Sequence, residues 1–419
     1  MSTMSANFWK MAPKLLLVLL SGLFFRCSDN PVSAPRNSFS LTTAEKVLIE
    51  SDNKFGLKLF QKIAQAEGHK NVFISPLSIA MSLGMAYNGA EGGTAVAMQE
   101  VLELSGLSIE EVNISYKRLM NALTELDPSV QFQVANSLWY RGDFQQPRTG
   151  FLNVCVEYFN ALVTGLNFND PNAASIINTW VEESTDGRIE EIVDNPINPR
   201  YVMVLINAIY FNGEWTYKFD EDLTFDDWFY LPDGSQTACS MMQQRGSFEY
   251  YFHEDFKVLD LPYGDGAFRM TIFLPARTVG LDSLMAQFGL ENFDQELMRY
   301  WLSSFSRDSL DIFIPKFTLE YESGLKDILA TLGMGVAFTE MADFTKMYAD
   351  GGVWIDQVKH KAFVEVNEEG TEAAAATSTI VTSGMDGVFW ADHPFLFMIR
   401  ENHSQTILFM GKVVDPTGG

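Results

Sequence analysis

The sequence predicts an α+β fold in one large domain. Segments with helical periodicity lie mainly in the first half of the chain, and segments with strand composition lie mainly in the second half. The two kinds do not alternate regularly, which favours mixed or antiparallel sheets over a doubly wound parallel sheet. With 419 residues, of which 47% are hydrophobic, and no linker-like stretch inside the body, the chain can bury one large core.

Four segments carry apolar residues at helical spacing. The last of them follows Asp170-Pro171, which is typical of a helix start because proline is tolerated in the first turn. We predict helices over Thr43–Glu67, Pro76–Tyr87, Ala95–Leu104 and Asn172–Ile192.

Eight segments are rich in β-branched and aromatic residues, the composition of strands. We predict strands over Gln131–Tyr140, Val202–Phe211, Phe256–Leu261, Phe268–Leu274, Leu310–Ile314, Trp354–Val366, Leu396–Ile399 and Thr406–Val413.

The start of the chain has the pattern of a signal peptide. Lys10 and Lys14 precede an apolar run from Leu15 to Phe25, which is short for a membrane span. Cys27 leaves two alternatives open, secretion after cleavage or lipid anchoring through this cysteine, and the bulky Arg26 argues against the second. We therefore predict an exported, extracytoplasmic protein. Its predicted parts are a signal peptide over residues 1–26, a tether over 27–39 and a folded domain over 40–419.

Charge limits the possible partners. The chain has 29 Lys and Arg against 54 Asp and Glu, a net charge of −25, which disfavours nucleic acid. In the segment 108–127, Lys117 and Arg118 lie among acidic residues, which also disfavours a heparin-type polyanion. Cys155 and Cys239 are the only cysteines of the body; they can form one bridge or, as the composition favours, remain two buried free thiols.

The sequence lacks the motifs of common enzymes. It has no Gly-x-Ser-x-Gly turn, no His-Glu-x-x-His pair and no strand-linked glycine loop for phosphate, and its five histidines are scattered singly. We therefore predict no enzymatic activity, no cofactor and no metal site.

The segment from Glu368 to Gly384 reads both as helix and as strand. Four alanines after Glu372 favour a helix, whereas the following Thr- and Val-containing run favours an extended backbone. In the extended form, alternate residues would form one small, uncharged face that can be buried. That face carries Thr371, Ala373, Ala375, Thr377, Thr379 and Val381. With Gly370 as a hinge at its root, the segment is predicted to be a loop that can become a strand.

Four longer motifs occur in one order along the chain. They are the segments 71–80 (NVFISPLSIA), 205–215 (LINAIYFNGEW), 360–371 (HKAFVEVNEEGT) and 391–397 (ADHPFLF). Together with the loop segment, they resemble the serpins, the family of serine protease inhibitors, from about Ser40 to about Pro416. The leader makes an exported bacterial member the expected kind.

The resemblance implies a fold of three β-sheets and eight to nine helices, with an exposed reactive loop at about residues 369–389. It implies a hinge formed by Glu368, Glu369, Gly370, Thr371, Glu372, Ala373, Ala374, Ala375, Ala376 and Thr377. It implies a polar cluster beneath the sheet that opens, the shutter, formed by Ser75, Ser78, Asn207 and His360. It also implies a breach, where insertion begins, formed by Trp215, Lys316 and Glu368.

The resemblance further implies suicide inhibition. A protease would cleave the loop, become covalently attached as an acyl-enzyme, and be displaced when the cleaved loop inserts into the main sheet. The expected bond follows Gly384, and Ser383 and Met385 are alternatives for the residue before the bond. A small residue or methionine at this position suits elastase-like or subtilisin-like enzymes. A monomer is expected, with loop-sheet polymers as a further state. The alternative is a non-inhibitory serpin-fold carrier, chaperone or storage protein, which bulky, charged or proline residues in the hinge would have indicated.

Overall fold

A computed structural model describes residues 39–287, 300–370 and 387–418 of the chain. Their architecture is α+β, which confirms the predicted fold class. The helices are α1 (Thr43–Glu67), α2 (Pro76–Tyr87), α3 (Gly92–Val101), α4 (Ile109–Thr124), α5 (Thr149–Phe159), α6 (Ala173–Ser184), α7 (Leu281–Gln287) and α8 (Lys326–Leu329).

The strands follow mainly after α6. They are β1 (Val72–Ile74), β2 (Val130–Arg141), β3 (Leu162–Leu166), β4 (Met203–Gly213), β5 (Phe225–Tyr230), β6 (Gln236–Phe252), β7 (Phe256–Tyr263), β8 (Phe268–Pro275), β9 (Ser306–Pro315), β10 (Phe317–Gly324), β11 (Lys359–Val366), β12 (Val388–Trp390), β13 (Phe395–Glu401) and β14 (Ile407–Val413).

Three sheets are present in the described ranges. The largest has the order β1-β14-β13-β8-β7-β6-β9-β12, with β5 paired to the first part of β6. A second sheet has the order β3-β2-β4, and a third consists of the antiparallel pair β10-β11. Helices α1 and α2 pack between these sheets and bury an extensive apolar core.

Local sequence explains the two helices that match their predicted bounds. At the start of α1, the Thr42 hydroxyl accepts from the Glu45 backbone N–H, and the Glu45 carboxylate accepts from the Thr42 N–H, a capping box. At the start of α2, Ser75 is the N-cap and Pro76 occupies the first turn. Both capping signals lie within four residues of the helix start, so local sequence is enough to predict them.

Other bounds differ from the predictions. Helix α6 ends at Ser184 rather than Ile192, because Asp186 and Gly187 take positive φ angles that break the helix. Strand β11 begins at Lys359 rather than Trp354, because the preceding stretch packs as irregular chain, with Ile355 N–H donating to Ala337 O. The long strand β6 was not predicted, since its first five residues pair only with β5 and include exposed polar side chains.

Candidate functional site

The central feature is an opening between β4 and β11. These strands belong to separate sheets, and no ladder of backbone hydrogen bonds joins them within the described residues. A cavity of about 550 Å³ lies there, lined by residues 202–207 on one side and 358–361 on the other, with α2 beneath. Unpaired strand edges that face each other across such a space can accept one more strand between them.

Part of the predicted shutter meets at this cavity. Ser75, at the start of α2, donates its backbone N–H to Nε2 of His360, on β11, at 3.1 Å. The Ser75 hydroxyl donates to Leu408 O at 2.7 Å and accepts from the Ser78 N–H at 3.3 Å. Because Nε2 is the acceptor, the neutral imidazole carries its proton on Nδ1. Burial lowers the pKa of His360 to about 3, so the ring is uncharged at neutral pH.

Asn207 joins the cluster from the other side of the opening. Its backbone carbonyl accepts from the Ser78 hydroxyl at 3.2 Å, and its side-chain amide donates to Asn136 on β2. The Asn207 Oδ1 atom is buried without a hydrogen-bond partner among the described residues. The four predicted residues thus form one chain of contacts from β11 through α2 to β4, and one of its acceptors is left unsatisfied.

The predicted breach residues Trp215 and Glu368 lie where β4 and β11 end, which we call the upper end of the opening. Trp215, just after β4, stacks on Tyr263 with ring centroids 4.3 Å apart. Its indole N–H donates to Asn367 O at 3.0 Å, and its backbone N–H donates to Glu369 O at 2.9 Å. Further along, Phe219 N–H donates to Glu368 O at 2.8 Å. The chain after β4 therefore holds the start of the hinge by three hydrogen bonds.

Glu368 is a buried carboxylate with two partners. Its side chain is only 5% exposed; one oxygen lies 2.8 Å from Lys316 Nζ, and the other accepts from the Thr224 hydroxyl at 2.6 Å. Burial alone would raise the pKa of Glu368, but the hydrogen bonds from Lys316 and Thr224 outweigh it and hold that pKa below its ordinary value. Lys316 is 41% exposed, so water screens its share of the interaction.

Gly370 closes the opening at its upper end. Its φ of +110° is accessible to glycine and strained for other residues. A Cβ built on it would lie 2.5 Å from Gly213 O and 2.8 Å from the carbonyl carbon of Glu214, and would collide with Trp215 N. Gly370 therefore lies against the backbone at the end of β4, where it forms an isolated antiparallel bridge with Glu214.

Comparison with known proteins agrees with this geometry. The family model described as Serpin (serine protease inhibitor) matches residues 50–416. The chain belongs to the serpin family. It is 34% identical over 366 residues to serine protease inhibitor 42Dd of Drosophila melanogaster, covering 86% of this chain and 95% of the relative. It is 31% identical over 390 residues to human neuroserpin, covering 90% and 94% respectively.

Solved structures give the same assignment. The thermophilic serpin tengpin in its native state superposes with a TM-score of 0.78 at 26% identity, covering 91% of this chain and 97% of that chain. Human thyroxine-binding globulin complexed with thyroxine superposes with a TM-score of 0.79 at 26% identity, covering 89% and 100%. The predicted family and fold are confirmed. Membership supports protease inhibition as the general function, with proteases as partners.

Several predicted residues of this serpin lie outside the described residues. The hinge is described from Glu368 to Gly370 only. The predictions outside the described ranges are hinge residues Thr371 to Thr377, the expected cleavage residues Ser383, Gly384 and Met385, and the leader with Cys27.

Three site residues were missed in the sequence. Thr224 and Phe219 hold Glu368 from a loop with no distinctive motif. Asn136 lies opposite Asn207 in the β2–β4 register and is buried; the signal in the sequence was an asparagine within a predicted strand.

The cysteines and the one group of possible metal ligands among the described residues lie outside this site. Cys155 and Cys239 are buried and free, and burial raises the pKa of their thiols to about 12 and about 11. His253, Glu254 and Asp255 bring possible ligand atoms within 4.8 Å of one another, but exposed acidic groups often lie this close without an ion. Among the described residues, no helix is both long and apolar enough to cross a membrane.

Proposed function

We propose that this serpin inhibits a serine-type endopeptidase by trapping it covalently, with the cleaved loop inserting between β4 and β11. The observation that carries the proposal is the opening itself: two strand edges face a cavity, and the hinge is anchored at its upper end by Trp215, Phe219 and Gly370. The small residues at alternate positions from Thr371 suit a strand whose inner face enters that space.

The covalent step uses the protease's own serine. Its hydroxyl oxygen attacks the carbonyl of Gly384, the bond to Met385 breaks, and the amino group of Met385 leaves while an ester joins the two proteins. The cleaved hinge is then free at one end. Insertion before the ester is hydrolysed would carry the attached protease along the sheet and distort its active site.

Backbone pairing supplies the driving force. An inserted strand gains hydrogen bonds along β4 on one side and β11 on the other, roughly one for each residue on each side. At about 0.5–1.5 kcal/mol net per bond, insertion over about ten residues forms about 20 bonds and gains on the order of 10–30 kcal/mol. The uninserted state is then kept by kinetic barriers, to which the contacts of Glu368 and Gly370 contribute.

The loop sequence suggests the target class. No Arg or Lys occurs between Gly370 and Phe389, which disfavours trypsin-like enzymes. Gly384, Met385 and the alternative Ser383 suit the small or apolar pockets of elastase-like or subtilisin-like proteases. We also propose export through residues 1–26, with residues 27–39 as a tether.

A carrier function is the second candidate. Thyroxine-binding globulin, crystallised with thyroxine, has the same fold, and the 550 Å³ cavity of this chain has room for a small ligand. The hinge favours inhibition, because no bulky, charged or proline residue occupies the alternate positions 371, 373 and 375.

The decisive experiment is incubation of the protein with elastase, subtilisin and trypsin, followed by a denaturing gel. We expect a complex that resists denaturation with elastase or subtilisin, and a small carboxy-terminal fragment whose mass identifies the cleaved bond. Complete cleavage with no covalent complex and no loss of protease activity would contradict inhibition and favour the carrier function.

A further inference from the structure

A cluster of three aromatic rings lies where the chain re-enters the sheet after the loop. Trp390 on β12 stacks on Phe313 of β9, with centroids 4.1 Å apart and planes at 18°. Phe225, the first residue of β5, stands edge-on to both, at 6.2 Å from Phe313 and 6.5 Å from Trp390. We call Phe225, Phe313 and Trp390 the aromatic surface.

This cluster lies at the edge of the core, against which Phe225 and Phe313 pack. Its neighbours in sequence, Ile312, Ile314 and Phe389, are buried, which places them on the opposite face of their strands. Trp390 is 37% exposed, and Phe225 and Phe313 are partly exposed. A stacked tryptophan open to solvent is costly to hydrate, and such patches mark contact sites on many proteins.

One acidic group borders the aromatic surface. Asp227 on β5 is half-buried and has no cationic partner within the described residues, whereas Asp226 lies on the opposite face of the strand with the exposed Trp228 and Tyr230. Asp227 alternates with Phe225 and so lies on the same face of the strand. Exposed rings beside unpaired carboxylates attract arginine and lysine side chains, through the ring face and through charge together.

The location of the aromatic surface indicates which partner would contact it. Trp390 is six residues beyond Gly384 and three beyond Gly387, so at about 3.3 Å per residue it lies within about 20 Å of the expected cleavage bond. A protease domain of about 230 residues has a radius of gyration of about 17 Å, and its outer edge extends further. β12 is also fixed in place, because Lys257 Nζ donates to Val388 O at 2.9 Å. A protease docked on the loop therefore overhangs this surface.

We propose that the aromatic surface, with Asp227, is a second docking site for the target protease, and that it selects proteases with arginine or lysine residues on the side facing the carboxy-terminal end of the loop. This inference rests on the proposed inhibitory function. It assigns part of the partner choice to residues outside the cleaved segment.

The test measures docking without the covalent step. Two elastase-type proteases with the same pocket preference, one with a basic and one with an acidic surface, are inactivated by replacing the catalytic serine with alanine, and their Kd values for the full chain are measured. The variants are Trp390→Leu and Asp227→Asn. The matched controls are Tyr300→Leu and Glu157→Gln, which alter an exposed aromatic and an exposed acidic residue outside the aromatic surface.

We expect Trp390→Leu to weaken binding of the basic protease about tenfold and Asp227→Asn to weaken it about threefold, with Tm lowered by no more than a few degrees. The effect of Asp227→Asn should fade above about 0.5 M salt, because the Debye length then falls below ~5 Å. Binding of the acidic protease and both control variants should match the parent.

Each outcome separates this inference from the proposed function. If both variants bind the basic protease as the parent does while active elastase still forms the covalent complex, the docking surface is wrong and inhibition stands. If no covalent complex forms but the variants still weaken docking selectively, inhibition is wrong and the surface stands. If sedimentation shows that the parent self-associates and that Trp390→Leu makes it monomeric, the occupant is a second copy and the inference fails.

Discussion

Replacing Gly370 by alanine should destabilise the uninserted state while sparing the inserted one. In the described structure, Gly370 has a φ of +110° and lies against the backbone after β4. In an inserted strand, the same residue would be extended, with negative φ, a conformation that alanine adopts without strain. Gly370→Ala therefore distinguishes the two states of the hinge.

The magnitude follows from two terms. A residue other than glycine at such a φ costs about 1–3 kcal/mol. Alanine Cβ would also collide with Gly213 O, Glu214 C and Trp215 N, which belong to backbone and cannot rotate away. Relief by moving the hinge outward would weaken the bond from Trp215 N–H to Glu369 O, about 1 kcal/mol. We expect a total cost of about 3 kcal/mol.

Thermal melting of intact and loop-cleaved protein is the assay. With an unfolding entropy of about 2 cal/mol/K per residue over a domain of about 380 residues, 3 kcal/mol lowers Tm by roughly 4 °C. The intact variant should show this drop, and the protein cleaved within residues 378–386 should melt as the cleaved parent does. Gly106→Ala is the matched control, because Gly106 has a φ of +92° with no atom within 4 Å of a built Cβ, so it carries strain without collision.

Two results would refute this reasoning. Intact Gly370→Ala protein that melts with the parent would mean that the hinge is not held against β4 as described. An equal drop in the intact and cleaved forms would mean that Gly370 keeps its conformation after cleavage, so that insertion does not begin there.

Four further predictions concern the loop and the shutter. Cleavage within residues 378–386 should raise Tm, because the freed loop completes a sheet; a cleaved chain that melts at or below the intact one excludes insertion. Trypsin should form a covalent complex more slowly than elastase or subtilisin, and a faster trypsin complex would show that the expected bond is misplaced. Thr371→Arg, at a position outside the described residues, should raise the number of inhibitor molecules consumed per protease inactivated, because a cation must be buried at the first inward position. The control Glu372→Arg, on the outward face, should not raise this number. Equal stoichiometries for the two variants would exclude this register. His360 has a pKa of about 3 when folded, below its ordinary 6.5, so the unfolded state binds a proton more readily. The free energy of unfolding should therefore fall as pH drops below 6.5, by about 2 kcal/mol between pH 7 and pH 5. The His360→Gln variant should lack this component, and identical pH profiles of Tm for the variant and the parent would contradict the burial of a neutral ring.

Local signals in the sequence determined much of the fold. α1 and α2 match their predicted bounds because a capping box, an N-cap serine and a first-turn proline act within four residues of the helix start. The motifs around Ser75, Asn207 and His360 also identified the family before any contact was known. The leader, the hinge from Thr371 and the cleavage bond remain predictions.

Only the tertiary structure decided which groups meet. Thr224 binds Glu368 across 144 positions of sequence, and Ser75 binds His360 across 285. The residues of β4 and β11 favour strand pairing. Neither their composition nor their hydrophobic periodicity could therefore predict that the facing edges of these two strands remain unpaired. The physical reason is that local propensity acts within a few residues, whereas the separation of two sheets is set by the packing of the whole core and by the hinge contacts at its upper end.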